Sequence, residues 1–382
     1  KKIKKYYKKK LVFEKNEKKR FNLENLPDSN LYERSFMHRD IVDQIHSSLE
    51  TDFIMTTSLE GNIKFWKKNY IGIEFVKQLK AHQGKISGIS VSKSGLYLAT
   101  CSYKDESLKI FDISNFDMIY FIKLSFIPHH CEFVTKVKDP NLIIAVSEKE
   151  TGNIHLIKSE SKGEILKTVK IHGNPITSIK YNEDYDSVIS TDNSGMIEYW
   201  DPKTLGKLKF FILFYFSEIP SNVDFEYKSS TDLYKLISNK VYTISLTISP
   251  KGKYFGMYCS DKHYRIFNFK TGKILREFNE SLKFYIDEYY SIIKSEIYRI
   301  EKSDFDKRLI IEKEMDKYIN IIPPLNIQFD ETNNYIFYSS ILGIKLINFK
   351  TNRLIKILGK NESAERFLTL NLFQGKSLRV KN

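Results

Sequence analysis

Cysteine is scarce in this chain. Cys101, Cys131 and Cys259 are three among 382 residues, widely spaced and odd in number. That excludes a disulfide framework and points to a reducing compartment. Long apolar runs are also missing. The most apolar stretch, Phe210–Phe216, is far too short to span a bilayer. The lysine-rich start has no apolar segment behind it, so it is no secretory signal. A soluble, intracellular protein is expected, with no membrane contact. Catalytic signatures are absent too: there is no glycine-rich phosphate loop, no nucleophile elbow and no Cys-x-x-Cys pair. No cofactor and no enzymatic activity are expected of these 382 residues.

Acidic residues fall short of basic ones, 47 against 61, a formal charge of +14. Such a surface favours acidic partners, whether nucleic acid or acidic protein faces. Part of the excess is local, since residues 1–20 hold eleven Lys or Arg and two Glu. A charge run of this kind reads as a solvated tail, or as a nuclear-import or nucleic-acid-binding arm that orders on binding. What the chain has in plenty is aromatic side chains, 27 Phe and 24 Tyr, which suit strands.

One short stretch is written repeatedly. Its clearest copy is Ser194-Gly195-Met196-Ile197-Glu198-Tyr199-Trp200-Asp201, a glycine turn feeding an alternating run that ends on an aromatic. Glu60–Trp66, Glu106–Asp112 and Lys262–Phe267 repeat the shape, and Gly152–Ile157 and Gly343–Ile347 are weaker forms. Alternation at period two marks each as a strand. A second anchor is a strand running into a histidine: Leu31–His38, Glu74–His82 and Glu164–His172. From His38 to Trp66 is 28 residues, from His82 to Phe111 is 29, and from His172 to Trp200 is 28. The strand ends Trp66, Phe111, Ile157 and Trp200 are 45, 46 and 43 residues apart. A period of about 40–45 with four strands per unit is that of a WD-repeat propeller blade.

The fold expected is therefore all-β, a seven-bladed WD-repeat propeller over 31–375, between a basic extension (1–30) and a short C-terminal remnant (376–382). Six strand-end anchors supply six blades. The seventh would take its inner strand from 367–373 and its outer strand from 31–36, which would leave no open edge. Its two middle strands are not evident, so the chain is expected to stop inside that blade. Two intervals are long: Trp200 to Phe267 is 67 residues and Phe267 to Ile347 is 80. The first insertion lies within about 205–240. The second, about 281–320, has apolar residues at helical spacing (Phe284, Ile286, Tyr289, Ile292, Ile293, Ile297, Ile300). Ser303–Asp306 resembles the start of a second helix, which Pro323-Pro324 stops. The expectation is a helical hairpin, serving either as a brace against the propeller or as a dock for a partner.

The repeat anchors His38, Trp66, His82, Phe111, His172, Trp200 and Phe267 are the residues with a definite expected role, and it is structural. Each histidine should hydrogen-bond within its blade toward the strand-end aromatic, because a buried polar group needs a partner. His129-His130-Cys131 is dense in metal-ligand types but has no second cluster at ligand spacing, so no metal site is expected. Cys101 and Cys259 read as small buried hydrophobes in strands.

Several stretches are more specific than a generic blade. Leu26-Pro27 with Leu31–Asp40, Phe65–Lys68 with Gly72–Lys77, Phe111-Asp112 with Asn115–Ile119, Asp192–Trp200, Leu342–Lys345, and Thr351–Arg353 with Ile357–Lys360 closely resemble one family. It is the family of WD-repeat proteins carrying a peptidyl-prolyl isomerase domain, spliceosome-associated nuclear cyclophilins with an N-terminal propeller. The resemblance spans most of 26–375. It implies a non-catalytic interaction scaffold of the pre-mRNA splicing machinery, located in the nucleus, with spliceosomal proteins as partners and the chain monomeric within a larger complex. The family's cyclophilin domain has no counterpart here, and the Phe210–Phe216 region matches poorly. Prolyl isomerase activity would belong to a longer parent chain. The readings left beside this one are a generic WD-repeat adaptor, such as a ligase substrate receptor, and an RNA-binding propeller using the basic tail.

Overall fold

The computed structural model describes residues 26–27, 38–48, 51–69, 72–137, 139, 141–160, 163–203, 222–225, 227–288, 298, 300–318 and 322–374. Within these residues the repeated unit is a four-stranded antiparallel sheet whose strands pair in chain order. Blade one is β1 (Val42–Ser47), β2 (Phe53–Ser58), β3 (Asn62–Lys68) and β4 (Ile73–Lys80). Blade two is β5 (Gly88–Val91), β6 (Tyr97–Ser102), β7 (Ser107–Asp112) and β8 (Asp117–Lys123). Blade three is β9 (Pro128–Phe133), β10 (Ile143–Glu148), β11 (Asn153–Lys158) and β12 (Ile165–Lys170). Blade four shows β13 (Ile176–Asn182), β14 (Ser187–Asp192) and β15 (Ile197–Trp200). Blade five is β16 (Thr243–Ile248), β17 (Tyr254–Cys259), β18 (His263–Asn268) and β19 (Ile274–Asn279). Blade six is β20 (Ile327–Phe329), β21 (Tyr335–Ser340), β22 (Gly343–Asn348) and β23 (Arg353–Leu358).

Burial explains why the blades stack. The second strands β14, β17 and β21 are buried at every position, so both faces of each sheet are covered. The outer strand β4 is exposed along most of its length. Apolar clusters accordingly run between blades rather than within one. Met55, Phe65, Ile89, Leu98 and Phe111 join blades one and two, and Ile189, Tyr199, Phe255, Met257 and Phe267 join four and five. Each large side chain so covered contributes about 1.5–3 kcal/mol relative to exposure. This stacking requirement is why an isolated blade would not persist.

The described residues form six blades, not seven. The segment expected to be the seventh blade's inner strand, 367–373, forms no strand. It lies along β20, held by side chains: the N–H of Leu370 donates to Asn326 Oδ1 at 2.8 Å, and its carbonyl accepts from Asn326 Nδ2 and Gln328 Nε2 at 2.8 and 3.0 Å. Gln374 Nε2 donates to the carbonyl of Phe329 at 3.0 Å. The physical reason is that a strand needs a neighbour's ladder, and the sequence offered no middle strands for that blade. Leu372 and the N-terminal Leu26 both pack on the same cluster of blade six, with Tyr335, Phe337 and Leu346. The expected outer strand, 31–36, lies outside the described residues, as do residues 1–25 of the basic extension, Phe210–Phe216 and residues 376–382.

In the second insertion, α2 (Leu282–Asp287) and α3 (Lys302–Lys317) are helical. A four-residue helix, α1 (Lys235–Ser238), belongs to the first insertion. Ser281 caps α2, its hydroxyl accepting from the N–H of Phe284. The start of α3 is two residues away from the expected position: Glu301 is the N-cap and no side chain caps it. It ends at Tyr318, before the proline pair. Residues 289–297, which carry much of the helical spacing, lie outside the described set. Helix α3 buries Phe305, Arg308 and Glu312, a single face at spacings of three and four. That face lies on blade six. Phe305 packs with Tyr285, Ile341, Leu342 and Ile357. Arg308 donates to the carbonyls of Ile341, Gly359, Lys360 and Glu362.

Candidate functional site

Blade four shows how its anchors interact. The indole N–H of Trp200 donates to Ser190 Oγ at 3.1 Å. Ser190 donates in turn to His172 Nε2 at 2.7 Å, and His172 Nδ1–H donates to Asp192 at 3.0 Å. The tautomer is assigned from this network, since only Nδ1–H can serve a carboxylate that cannot donate. All four side chains are buried. Asp192 also accepts from Ser194 and from the N–H of Met196, closing the glycine turn.

Blade two keeps the relay without its first member. Thr100 donates to His82 Nε2 at 2.9 Å and His82 Nδ1–H donates to Asp105 at 2.9 Å. Phe111 occupies the aromatic position and has no N–H to give. Burial holds the His82 imidazole below its ordinary pKa, partly offset by Asp105. In blade one, Trp66 donates to Thr56 Oγ1 at 2.8 Å and Thr56 to His38 Nε2 at 2.7 Å. Blade five has no histidine bonded to its second strand in this way; its His263 opens β18 and bonds to Asp261. Its Phe267 stacks on Phe255, centroids 4.9 Å apart, and Met257 stands where the hydroxyl stands elsewhere. The glycines of the repeat serve the same junctions. Gly61 has φ +83°, and a Cβ there or on Gly152 would overlap the carbonyls of His82 and His172. These anchors therefore lie one set to a blade and are brought to no common site.

His129 and His130 sit at the start of β9 with rings 4.1 Å apart. His129 Nδ1–H donates to the carbonyl of Ile176, and Cys131 is buried with its thiol toward the carbonyl of Ala99. Among the described residues no group of three His, Cys, Asp or Glu is placed to hold a metal.

A concave site lies where sequence reasoning placed none. A chamber of about 410 Å³ opens between β19, α2 and blade six, lined by Glu277, Phe278, Glu280, Phe284, Tyr285, Glu288, Tyr298, Tyr338 and Lys345 among others. At its inner end Glu280 is buried and accepts from Lys345 Nζ at 2.6 Å, from the Tyr338 hydroxyl at 3.0 Å and from the Tyr285 hydroxyl. The Lys345 ammonium lies over the rings of Tyr285, Tyr298 and Tyr338, 5.2, 5.8 and 5.9 Å from their centroids. Burial, then the Glu280 charge, pushes both the Tyr285 and Tyr338 phenols well up, so both remain donors. Nearby, Arg265 is buried between Asp261 and Glu277, with 2.7 Å to the latter. Glu280 and Lys345 are 65 residues apart in the sequence, and the only hint of them was the aromatic excess.

Comparison with known proteins agrees with this architecture. The WD40 family (WD domain, G-beta repeat) matches residues 73–112, which cover β4 to β7. The peptidylprolyl isomerase domain and WD repeat-containing protein 1 of Homo sapiens is 40% identical over 93% of this chain. This chain is a relative of those proteins. The peptidyl-prolyl cis-trans isomerase CYP71 of Arabidopsis thaliana is likewise 40% identical over 92% of the chain, and the peptidyl-prolyl cis-trans isomerase 9 of Schizosaccharomyces pombe is 30% identical over 92%. The chain spans about half the length of these relatives: 52%, 54% and 56%. Among solved structures, the β-propeller domain of Cps50 (Swd1) from Myceliophteria thermophila superposes with a TM-score of 0.55 at 11% identity. That superposition covers 84% of this chain and 88% of that one and speaks for the propeller fold alone. No helix among the described residues is long and apolar enough to cross a membrane.

Proposed function

We propose that this propeller is the protein-interaction scaffold of a cyclophilin-type peptidyl-prolyl isomerase, working in the nucleus as part of the pre-mRNA splicing machinery. One observation carries the reading: 40% identity over 93% of the chain to proteins whose names join a peptidylprolyl isomerase domain to WD repeats. Proline isomerisation is assigned to the part of such proteins that this chain does not match, because the anchors here are consumed within the blades. A stacked propeller supplies a rigid surface, and function is grafted onto such a surface rather than dictated by the fold. The test is to purify the full-length parent from nuclear extract and identify its companions. Splicing proteins are expected, whereas ubiquitin-ligase subunits in their place would make the chain a substrate receptor instead.

A second reading, direct RNA contact, is favoured by the eleven basic residues among the first twenty. It predicts RNA binding whose affinity falls steeply with salt and is lost when residues 1–20 are removed. Binding that ignores salt would dispose of it.

A further inference from the structure

We infer that the chamber between β19, α2 and blade six receives an arginine side chain from a protein partner. This chamber is faced by three carboxylates, Glu277, Glu280 and Glu288, against one ammonium, Lys345, among the described lining residues. That ammonium is already committed to Glu280 at 2.6 Å. Glu280 is likewise committed to Lys345, and Glu277 to the buried Arg265 at 2.7 Å, so among the described lining residues Glu288 is the carboxylate left facing a ligand, and an anion would meet it without a free cation from that set. Nucleic acid is disfavoured there for the same reason.

The inner end shows which chemistry the walls accept. Lys345 places a cation over three tyrosine rings with a carboxylate beside it, the arrangement by which aromatic faces and acids hold positive charge. The outer part repeats these materials, and Lys345 is the only cation among the chamber's described lining residues. Phe278, Phe284 and Tyr298 are half-buried on its walls, and Glu288, the C-cap of α2, is exposed at its edge. A guanidinium fits this better than a second ammonium. It is planar and stacks on aromatic faces, it is weakly hydrated, and its five donors can reach acids on two sides. A volume of about 410 Å³ is ample for one arginine side chain. The inference rests on the scaffold reading only in taking the guanidinium from a protein, and membership of the spliceosome is not required.

The test uses the full chain and three blocked tripeptides, Gly-Arg-Gly, Gly-Lys-Gly and Gly-Glu-Gly, followed by ligand-observed saturation-transfer NMR. The arginine peptide is expected to bind in the millimolar range, the lysine peptide more weakly, and the glutamate peptide not at all. Phe284→Ala and Glu288→Gln are each expected to weaken the arginine peptide roughly two- to fivefold, with the thermal melt checked for each variant. Should Phe284→Ala fail to fold, Glu288→Gln, at an exposed position, carries the test alone. No signal from the arginine peptide, equal signal from the glutamate peptide, or undiminished binding in every folded variant overturns the inference. None of these outcomes bears on which proteins accompany the parent in nuclear extract.

Discussion

Trp200 donates its indole N–H to Ser190 at 3.1 Å, and the same Ser190 oxygen reaches His172 at 2.7 Å. One hydroxyl thus satisfies two buried groups from different segments of blade four. Ser190→Ala removes the partner of both, and each buried unsatisfied group costs about 1–3 kcal/mol. A loss of roughly 2–4 kcal/mol in urea unfolding is expected. Trp200→Phe should cost less in hydrogen bonding, because blade two carries Phe111 at that position and keeps its Thr100–His82–Asp105 chain. If Ser190→Ala proves neutral, the relay does not hold the blade.

The Arg308 guanidinium serves four backbone carbonyls, those of Ile341, Gly359, Lys360 and Glu362. Arg308→Ala strands buried acceptors and should destabilise by about 3–5 kcal/mol. Hydrogen exchange should rise in 302–317 and 359–374 together. Rise in the helix alone would show that the chain end is anchored by something else. Deleting 281–320 is expected to lower the melting temperature, as for a brace. Unchanged stability with loss of partners would make the insertion a dock.

Glu280 and Lys345 form a buried ion pair at 2.6 Å. Removing one partner leaves the other charge buried and unpaired, so Glu280→Gln or Lys345→Met alone should cost about 3–5 kcal/mol. The double variant should cost less than the sum of the two singles, since neither charge remains. Additive losses in denaturant unfolding would show that the pair does not interact.

Stability should fall as the solution is acidified from pH 7.5 to 5.5. Burial, then the Lys180 charge, lowers the His46 pKa to about 3, and burial holds His130 well below its ordinary value. Both are neutral in the fold but take up protons near pH 6.5 once unfolded. The unfolded chain therefore binds more protons below that pH, and the slope is at most about 1.4 kcal/mol per pH unit for each histidine. The stabilisation is present above pH 6.5 and is lost toward the folded value. His263 opposes this, its pKa being raised by its hydrogen bond to Asp261. Urea midpoints across the range check the sign, and His46→Gln should flatten the dependence.

The blade spacing was readable because Trp66, Phe111, Ile157 and Trp200 each end a strand whose neighbours come next in the chain. Local pairing leaves a local pattern. The seventh blade was misread for the converse reason. Leu368, Leu370 and Leu372 alternate like a strand, but alternation reports only which faces are covered, not whether a ladder is there to join. Side-chain amides of Asn326 and Gln328 took the place of that ladder. Ser303 looked like the cap of α3 because it precedes acids and Phe305, while the cap is Glu301. The Glu280–Lys345 chamber left no local trace. Lys345 alternates with Ile344 and Leu346 as if it faced water; its cross-strand partner Tyr338 lies within the blade, and the insertion adds Tyr285 and Tyr298 over it.

The four carbonyls held by Arg308 also bear on how this protein can be divided. A blade is usually the unit that is duplicated, swapped or trimmed in a repeat protein. Here the helical insertion and the stretch after β23 cannot be inherited separately: a chain cut before Gly359 would keep a buried guanidinium and lose three of its four acceptors. Arg366 beyond them pairs with buried Glu312 of α3 at 2.8 Å, and Leu370 and Gln374 hold β20, so the smallest exchangeable piece at this end of the molecule is blade six together with α3 and the residues through Gln374.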